Sequence, residues 1–244
     1  LPVYYMQGGL KGEQLSKFQL RFGNNAEQYF RLLEQIENEI QTAPEDYIFG
    51  MAPHSLRAVS PEALKEILDS RQCEPVHIHI SEQQKEVEDI QNNYGKRPVN
   101  WLIDNVNVDS RWCLVHSTHM HPEEIDKLAK SGAVAGLCPV TEANLGDGIF
   151  NGSKYISSGG KYGIGTDSNV SISLTDELRM LEYMQRLYNK ERNVMKNSSG
   201  SVGESIYTST LIGGNQALSR NSGIIASGQW ADLLTLDSDA LAFF

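Results

Sequence analysis

The chain has 244 residues, of which 40% are hydrophobic and 21% charged, and its formal net charge is −10. This ordinary globular composition excludes a disordered chain and allows one large α/β domain or two small ones. The acidic balance disfavours nucleic acid and anionic membranes as partners, because both are bound through basic patches. No apolar run approaches the ~20 residues that a membrane span needs. No signal peptide is visible, and without CxxC spacing Cys73, Cys113 and Cys138 are predicted to be buried, reduced thiols of a cytosolic protein.

Strand-like and helix-like segments alternate six times along the chain. The predicted strands are Leu1 to Met6, Tyr47 to Ala52, Val76 to Ile80, Trp112 to His116, Ala133 to Cys138 and Tyr162 to Thr166. The predicted helices are Ala26 to Gln41, Ser60 to Ser70, Glu82 to Asn92, Val99 to Asp104, two that begin at Pro122 and Thr175, and Ser205 to Leu218. Because parallel strands need helical crossovers, this alternation predicts a parallel α/β sheet.

Two architectures share this alternation, the doubly wound sheet and the (β/α)8 barrel. A barrel takes about 250 residues for eight units, or roughly 30 for each. Six units fill residues 1–218, so for a barrel we expect two further units before Leu1. Both ends of the chain are apolar, and we expect the sequence to continue beyond each of them. Short alternating apolar segments at 223–237 predict strands outside the main layer.

The segment from Val76 to Glu82 joins a buried strand to charged residues. Side chains alternate along a strand, so His77 and His79 share one face. An imidazole at a strand end with a carboxylate three residues later suits a metal-assisted hydrolase, where the imidazole binds the metal and the carboxylate reaches the attacking water. A buried histidine pair held by hydrogen bonds fits the same residues.

Polar side chains recur where the predicted strands end, and catalytic residues of barrels lie at those ends. They are His54 with Arg57, His79 with Glu82, His116, and Asp167. Arg57 could clamp a substrate carboxylate, which a guanidinium binds through two parallel hydrogen bonds. A structural salt bridge at Arg57, a core histidine at His116 and a turn cap at Asp167 stay open. His119 and His121 follow the fourth strand in a loop. They are predicted to face solvent or to contact the site residues without binding a metal or substrate themselves.

Four motifs resemble the amidohydrolase superfamily and, within it, the aminohydrolase branch that includes guanine and cytosine deaminases. They are His77 to Glu82, Leu114 to His119, Gly165 to Ser168 and Gly228 to Leu234. The segments Ala52 to Arg57 and Arg111 to His116 are most similar to the N-formimino-L-glutamate deiminase family of histidine breakdown. Together these segments extend over nearly the whole chain.

The resemblance implies a TIM-type (β/α)8 barrel, with about six of its eight units in residues 1–218 and the start of a small C-terminal β-sandwich in 219–244. It implies metal-dependent hydrolysis of N-formimino-L-glutamate to N-formyl-L-glutamate and ammonia in the cytoplasm. The partner would be a small acidic substrate, and a homodimer stays open. An aminohydrolase of a purine, pyrimidine or triazine ring and a non-catalytic remnant are the alternatives.

The resemblance also implies one divalent metal, zinc or another such as iron, with His79 and Asp167 among its ligands. The family carries a further His-x-His pair on its first barrel strand, which would precede Leu1. His77 is not expected to substitute for that pair, because it lies about 6.6 Å down the strand from His79. A catalytic zinc site takes three or more protein ligands, so we expect this chain alone to bind metal weakly and to catalyse little.

The catalytic roles follow from the same resemblance. Glu82 would carry protons between the attacking water and the leaving nitrogen, and His116 would orient the attacked group. Asp167 would act in catalysis as well as in metal binding. Arg57, with His54 beside it, would hold the carboxylates of the substrate.

Overall fold

Six parallel strands follow one another in chain order in a computed structural model that describes residues 1–71, 75–168, 171–197, 200–237 and 239. They are β1 (Val3–Tyr4), β2 (Ala52–Pro53), β3 (Val76–Ile80), β4 (Trp112–His116), β5 (Val134–Leu137) and β6 (Lys161–Ile164). Strands β1 and β2 pair with each other, and β3 to β6 form one ladder. Bridges from Met51 to Val76 and from Ser55 to His79 join the two groups.

This sequential order distinguishes the two architectures that the sequence left open. A doubly wound sheet reverses its strand order at a switch point, whereas a barrel wall adds each strand beside the previous one. Strands β3, β4, β5 and β6 are all parallel neighbours in chain order, and β2 adjoins β3 through the two bridges. The described strands therefore form a curved wall of the barrel type, whose strands all end at one rim.

Helices cover the face of this wall that carries Ile78 and Leu114. They are α1 (Ala26–Ile40), α2 (Pro61–Ser70), α3 (Gln84–Tyr94), α4 (Pro98–Asn105), α5 (Pro122–Ser131), α6 (Pro139–Leu145), α7 (Gly152–Ser157), α8 (Leu174–Asn189) and α9 (Val202–Ala217). The end of α9 also reaches the other face, where Ala217 packs with Cys113 and Val134.

Local sequence determines where most helices begin. Asn25 and Gln28 form a capping box at α1. Ser60, Ser173 and Ser201 each accept a backbone N–H at the start of α2, α8 and α9.

The core lies between the strands and the helices, and β3 shows how it directs the remaining side chains. Val76, Ile78 and Ile80 are buried in the main hydrophobic cluster. The intervening His77 and His79 are half-buried on the opposite face. Burial of the three aliphatic residues therefore fixes the register of β3 and turns both imidazoles toward the inside of the wall.

Some boundaries differ from the sequence-based predictions. The second strand was predicted at Tyr47 to Ala52 but is Ala52–Pro53, because a turn hydrogen bond from Tyr47 N to Pro44 O holds the preceding segment. Helices α6 and α7 were not predicted, since they have only 7 and 6 residues and lack a helical apolar repeat.

The prediction of strands at 223–237 is wrong. The described residues 218–237 and 239 pair with no neighbouring strand and contain only turns, bends and irregular backbone. The domain boundary at 218 and the β-sandwich stay predictions. Part of 219–244 lies outside the described residues, as does Cys73. Cys113 and Cys138 are buried and free. Among the described residues no helix is both long and apolar enough to cross a membrane.

Helix α9 packs closely on β6, and two adjacent glycines allow a matched test of that contact. A Cβ at Gly213 would lie 1.9 Å from the carbonyl oxygen of Tyr162, whereas one at Gly214 would meet nothing within 4 Å. We expect Gly213→Ala to lower the free energy of unfolding by about 1–3 kcal/mol through overpacking. Gly214→Ala should raise it by up to about 1 kcal/mol through helix propensity. Thermal denaturation of the two variants measures the difference, and equal shifts in Tm would contradict this packing.

Candidate active site

Four of the predicted residues meet at the rim where β3, β4 and β6 end. His116 Nε2 lies 3.8 Å from Glu82 Oε1 and 4.0 Å from Asp167 Oδ2. The ring centroid of His79 is 5.5 Å from that of His116. The structure therefore brings two imidazoles and two carboxylates together, although they come from three strands and 88 positions separate His79 from Asp167.

The protonation state of His79 can be assigned from its neighbours. Its Nδ1 lies 2.9 Å from the carbonyl oxygen of His54. A carbonyl only accepts, so Nδ1 carries the proton and neutral His79 keeps a lone pair on Nε2. Burial lowers the pKa of His79, and the charge of His116 acts in the same direction. A neutral imidazole whose other nitrogen donates to a carbonyl is the form that ligates metals.

The pKa of His116 is shifted in the opposite direction to that of His79. The Nδ1 of His116 lies 3.3 Å from Glu142 Oε1, which also accepts the backbone N–H of Cys138. Because a carboxylate oxygen only accepts, Nδ1 of His116 carries a proton. Burial alone would lower the pKa of His116, but the Glu142 hydrogen bond and the charges of Glu82, Glu142 and Asp167 outweigh it and raise the pKa. His116 thus holds a second proton more readily than a free histidine and can donate from Nε2.

His54 lies beside this group on the side of β2. Its ring centroid lies 4.4 Å from that of Tyr5 and 4.8 Å from that of His79. Its Nδ1 lies 3.0 Å from Ser55 Oγ. Burial, then the charges of His79 and Arg57, lowers the pKa of His54 to about 3. His54 is therefore a neutral hydrogen-bonding group at the site.

Arg57 places a positive charge beside the carboxylates. Its Nη2 lies 3.6 Å from Glu82 Oε2 and 4.0 Å from Glu86 Oε2, distances of an ion pair without a hydrogen bond. Within the described residues its Nε is buried and has no hydrogen-bond partner. A buried donor without a partner is rare in proteins, so this Nε is a candidate for a hydrogen bond to a bound group or a water.

The backbone is strained at each of these strand ends. Ser81, His116, Ser117 and Asp167 have φ values of 53°, 70°, 53° and 47°, in the left-handed region that residues other than glycine seldom adopt. Such strain persists only where the surrounding structure imposes it, and it concentrates at functional sites. Here the turns redirect the chain just where the charged side chains leave the strands.

Buried glutamates that the sequence patterns did not predict support this rim. Glu86, Glu124, Glu142 and Glu177 are buried and accept backbone N–H groups of the loops around the rim. Each is the third or fourth residue of its helix, where the helix dipole favours a negative charge. That position within the first turn is the signal that could have identified them.

Three histidines lie outside this group. His77 Nε2 donates to the carbonyl of Ala217 at the end of α9 (2.7 Å), and half-buried His119 donates to the carbonyl of Asp147 (2.6 Å). His121 is exposed at the start of α5. The two nitrogens that make these hydrogen bonds are occupied by the protein itself, so His77 and His119 stabilise the fold around the site.

The donor set suits a divalent metal. The ligand atoms of His116, Cys138 and Asp167 all lie within 4.8 Å of one another, and the ring centroid of His79 is 5.5 Å from that of His116. Imidazole nitrogen and carboxylate oxygen are common zinc ligands. Burial, then the charge of Glu142, raises the pKa of the Cys138 thiol, so without a metal it is a neutral thiol. Asp167, one of the predicted ligands, belongs to this group of ligand atoms.

Comparison with known proteins agrees with this geometry. The model of the amidohydrolase family matches residues 13–243. The chain belongs to the amidohydrolase family. It is 48% identical over 241 residues to a formimidoylglutamate deiminase of Pseudomonas aeruginosa, covering 98% of this chain and 53% of that protein. It is 29% identical to a 5-methylthioadenosine/S-adenosylhomocysteine deaminase of Pyrococcus abyssi, covering 78% of this chain and 44% of that protein.

Solved structures of this amidohydrolase fold are also similar. An amidohydrolase from Brucella melitensis has 50% identity and a TM-score of 0.84, covering 89% of this chain and 48% of that one. An adenosine deaminase from Xanthomonas campestris with bound zinc has 22% identity and a TM-score of 0.81, covering 99% and 53%. The described strands are therefore part of a TIM-type barrel, as predicted. The chain spans about half the length of the relatives it matches.

Proposed function

We propose that the protein hydrolyses N-formimino-L-glutamate to N-formyl-L-glutamate and ammonia, in the cytoplasm, as a step of histidine breakdown. The observation that carries this proposal is the position of Arg57, whose guanidinium lies 3.6 Å from the carboxylate of Glu82. A group that binds carboxylates thus stands beside the group that would move protons. The 48% identity to a formimidoylglutamate deiminase supports the same substrate. Because that match covers 53% of the relative, the activity is proposed for the full-length gene product.

One divalent metal is part of this proposal, and zinc is the first choice because a protein of the same fold binds it. His79 would hold the metal through Nε2 and Asp167 through its carboxylate. When bound, a metal of this kind lowers the pKa of water toward neutrality and so supplies the nucleophile. The hydrogen bond from His79 Nδ1 to the His54 carbonyl would fix the direction of the ligating nitrogen.

The side chains then carry out the proton transfers. The water oxygen bonds to the formimino carbon, and Glu82 takes the proton that the water loses. Glu82 passes this proton to the formimino nitrogen, and then carries the remaining hydroxyl proton of the tetrahedral adduct to the same nitrogen as the carbon–nitrogen bond breaks, which leaves a formyl C=O and ammonia. His116, which holds a proton at Nδ1 against Glu142, donates from Nε2 to the charge that develops at the reacting centre.

Arg57 and His54 would bind the carboxylates of the substrate. The buried Nε of Arg57, which has no partner among the described residues, and its Nη2 present two donors in the fork that matches a carboxylate. Neutral His54 adds a hydrogen bond without adding charge.

Arg57→Met is expected to raise KM for N-formimino-L-glutamate roughly 10- to 150-fold, because a hydrogen bond to a charged group contributes about 1.5–3 kcal/mol. Its effect on kcat should be smaller. Lys85→Met is the matched control, since Lys85 lies on α3 and pairs with Asp89. Steady-state ammonia release by the full-length gene product measures both variants. An unchanged KM in Arg57→Met would contradict the role in substrate binding.

The second candidate is hydrolysis of an amino group on a purine, pyrimidine or triazine ring, favoured by the match to a 5-methylthioadenosine/S-adenosylhomocysteine deaminase. It predicts ammonia release from a neutral ring and little effect of Arg57→Met. A non-catalytic remnant predicts no release from either substrate. Assays of the zinc-loaded full-length gene product with N-formimino-L-glutamate and with 5-methylthioadenosine separate the three. Gel filtration tests the homodimer that the sequence left open.

A further inference from the structure

Glu86 is a buried carboxylate that the mechanism above does not use. It is the third residue of α3 and its side chain is 0% exposed. Its Oε1 accepts the backbone N–H of Ser81 (3.1 Å), and its Oε2 accepts that of Glu82 (3.0 Å). Both atoms of one carboxylate thus bind two consecutive amides in the turn that carries Glu82.

That turn needs support from outside itself. Ser81 has a φ of 53°, which costs free energy for a residue other than glycine. Its N–H and that of Glu82 both point to the Glu86 carboxylate, so the two hydrogen bonds hold the strained turn. Because the backbone of Glu82 is fixed there, its side chain faces His116 Nε2 at 3.8 Å.

The same carboxylate also contacts the other half of the site. Arg57 Nη2 lies 4.0 Å from Glu86 Oε2 and 3.6 Å from Glu82 Oε2. Burying a carboxylate is costly unless it is paired and hydrogen-bonded. Beyond the favourable helix dipole at the start of α3, the contacts among the described residues that meet both conditions for Glu86 are those to the turn and to Arg57.

We propose that Glu86 is a positioning residue, which orients Glu82 through the backbone of the turn and steadies Arg57 through its charge. This inference rests on the proposed function. It assigns the two contacts different kinetic effects, because Glu82 acts on kcat and Arg57 acts on KM. Glu86 itself touches neither the substrate nor the reacting atoms.

Glu182 provides a matched control. It is buried in α8, accepts two consecutive backbone N–H groups, those of Val194 and Met195, and pairs with Arg186. Its contacts repeat those of Glu86 but involve none of the predicted site residues. Glu182→Gln therefore reproduces the general cost of losing a buried carboxylate.

The test is a double-mutant cycle on the full-length gene product. Glu86→Gln is expected to lower kcat about 10- to 100-fold. In the Glu82→Gln background the same change should lower the residual rate less than twofold, because residues that act as a unit are not additive. Glu182→Gln should have the same small effect in both backgrounds. Glu86→Asp keeps the charge near Arg57 but cannot reach both amides, so kcat should fall while KM stays near that of the wild type.

Hydrogen exchange supplies a measurement that needs no turnover. Glu86→Gln should speed amide exchange at Ser81 and Glu82 at least tenfold, and Glu182→Gln should do so at Val194 and Met195 instead. Unchanged exchange at the first pair, or equal losses of rate in both backgrounds, would overturn the inference. A wild-type protein that releases no ammonia from N-formimino-L-glutamate would contradict the proposed function, and exchange alone would then decide on Glu86.

Discussion

Glu82→Gln is expected to reduce ammonia release by about 10²- to 10⁴-fold, the usual contribution of a positioned general acid–base group. The amide keeps the size of the side chain but cannot take a proton from the water. It should leave the metal content unchanged, since Glu82 is not among the proposed ligands. Rate measurements with the zinc-loaded full-length gene product, together with metal analysis of the same samples, test both statements.

Glu88→Gln is the control for this variant, because Glu88 is exposed on α3 and is bonded to Gln84. It should keep wild-type rates. A Glu82→Gln protein that retained more than a tenth of the activity would show that another group moves the proton. Loss of metal together with activity would instead make Glu82 a ligand.

His79→Asn is expected to lower metal affinity by more than about 100-fold. Partners that only orient a metal ligand already contribute about 10- to 100-fold, so removal of a ligating nitrogen should exceed that. His77→Asn is the matched control, since His77 lies two residues earlier on the same face of β3 and donates to the carbonyl of Ala217. It should bind metal normally and lose only about 1 kcal/mol of stability from one hydrogen bond.

Equilibrium dialysis against buffered zinc measures both histidine variants without any assay of turnover. Equal loss of metal in the two would refute the assignment of the ligand to the end of the strand. Normal metal binding by His79→Asn would remove His79 from the proposed ligand set.

The predictable parts of the fold are those with local causes. Alternation of Val76, Ile78 and Ile80 with the two histidines fixed β3 and its orientation, because one face of a strand must be buried. The Ser60 cap followed by Pro61 predicted the start of α2, whereas α8 begins at Leu174 behind a Ser173 cap and not at the predicted Thr175. Parallel strands end at the same rim, and for that reason distant site residues could be expected to meet.

The remainder depends on contacts that no local pattern shows. Glu86 and Glu142 lie in the first turns of helices, where sequence reasoning expects exposed charge, and only the packed structure buries them against loop amides. The sequential strand order that excludes a doubly wound sheet arises from long-range pairing. The tail alternates like a strand, but alternation forms a strand only where a neighbouring edge is available.

One hydrogen-bonding atom links the sheet to the chemistry. The carbonyl oxygen of His54 accepts the backbone N–H of His79 and also the Nδ1–H of its ring, both at 2.9 Å. The acceptor that joins the end of β2 to β3 therefore also orients the imidazole. The direction of that ring is set by strand pairing and not by a loop. Loops around the rim can change in length and composition without re-aiming it, whereas fraying of this one pair of strands would release the ring.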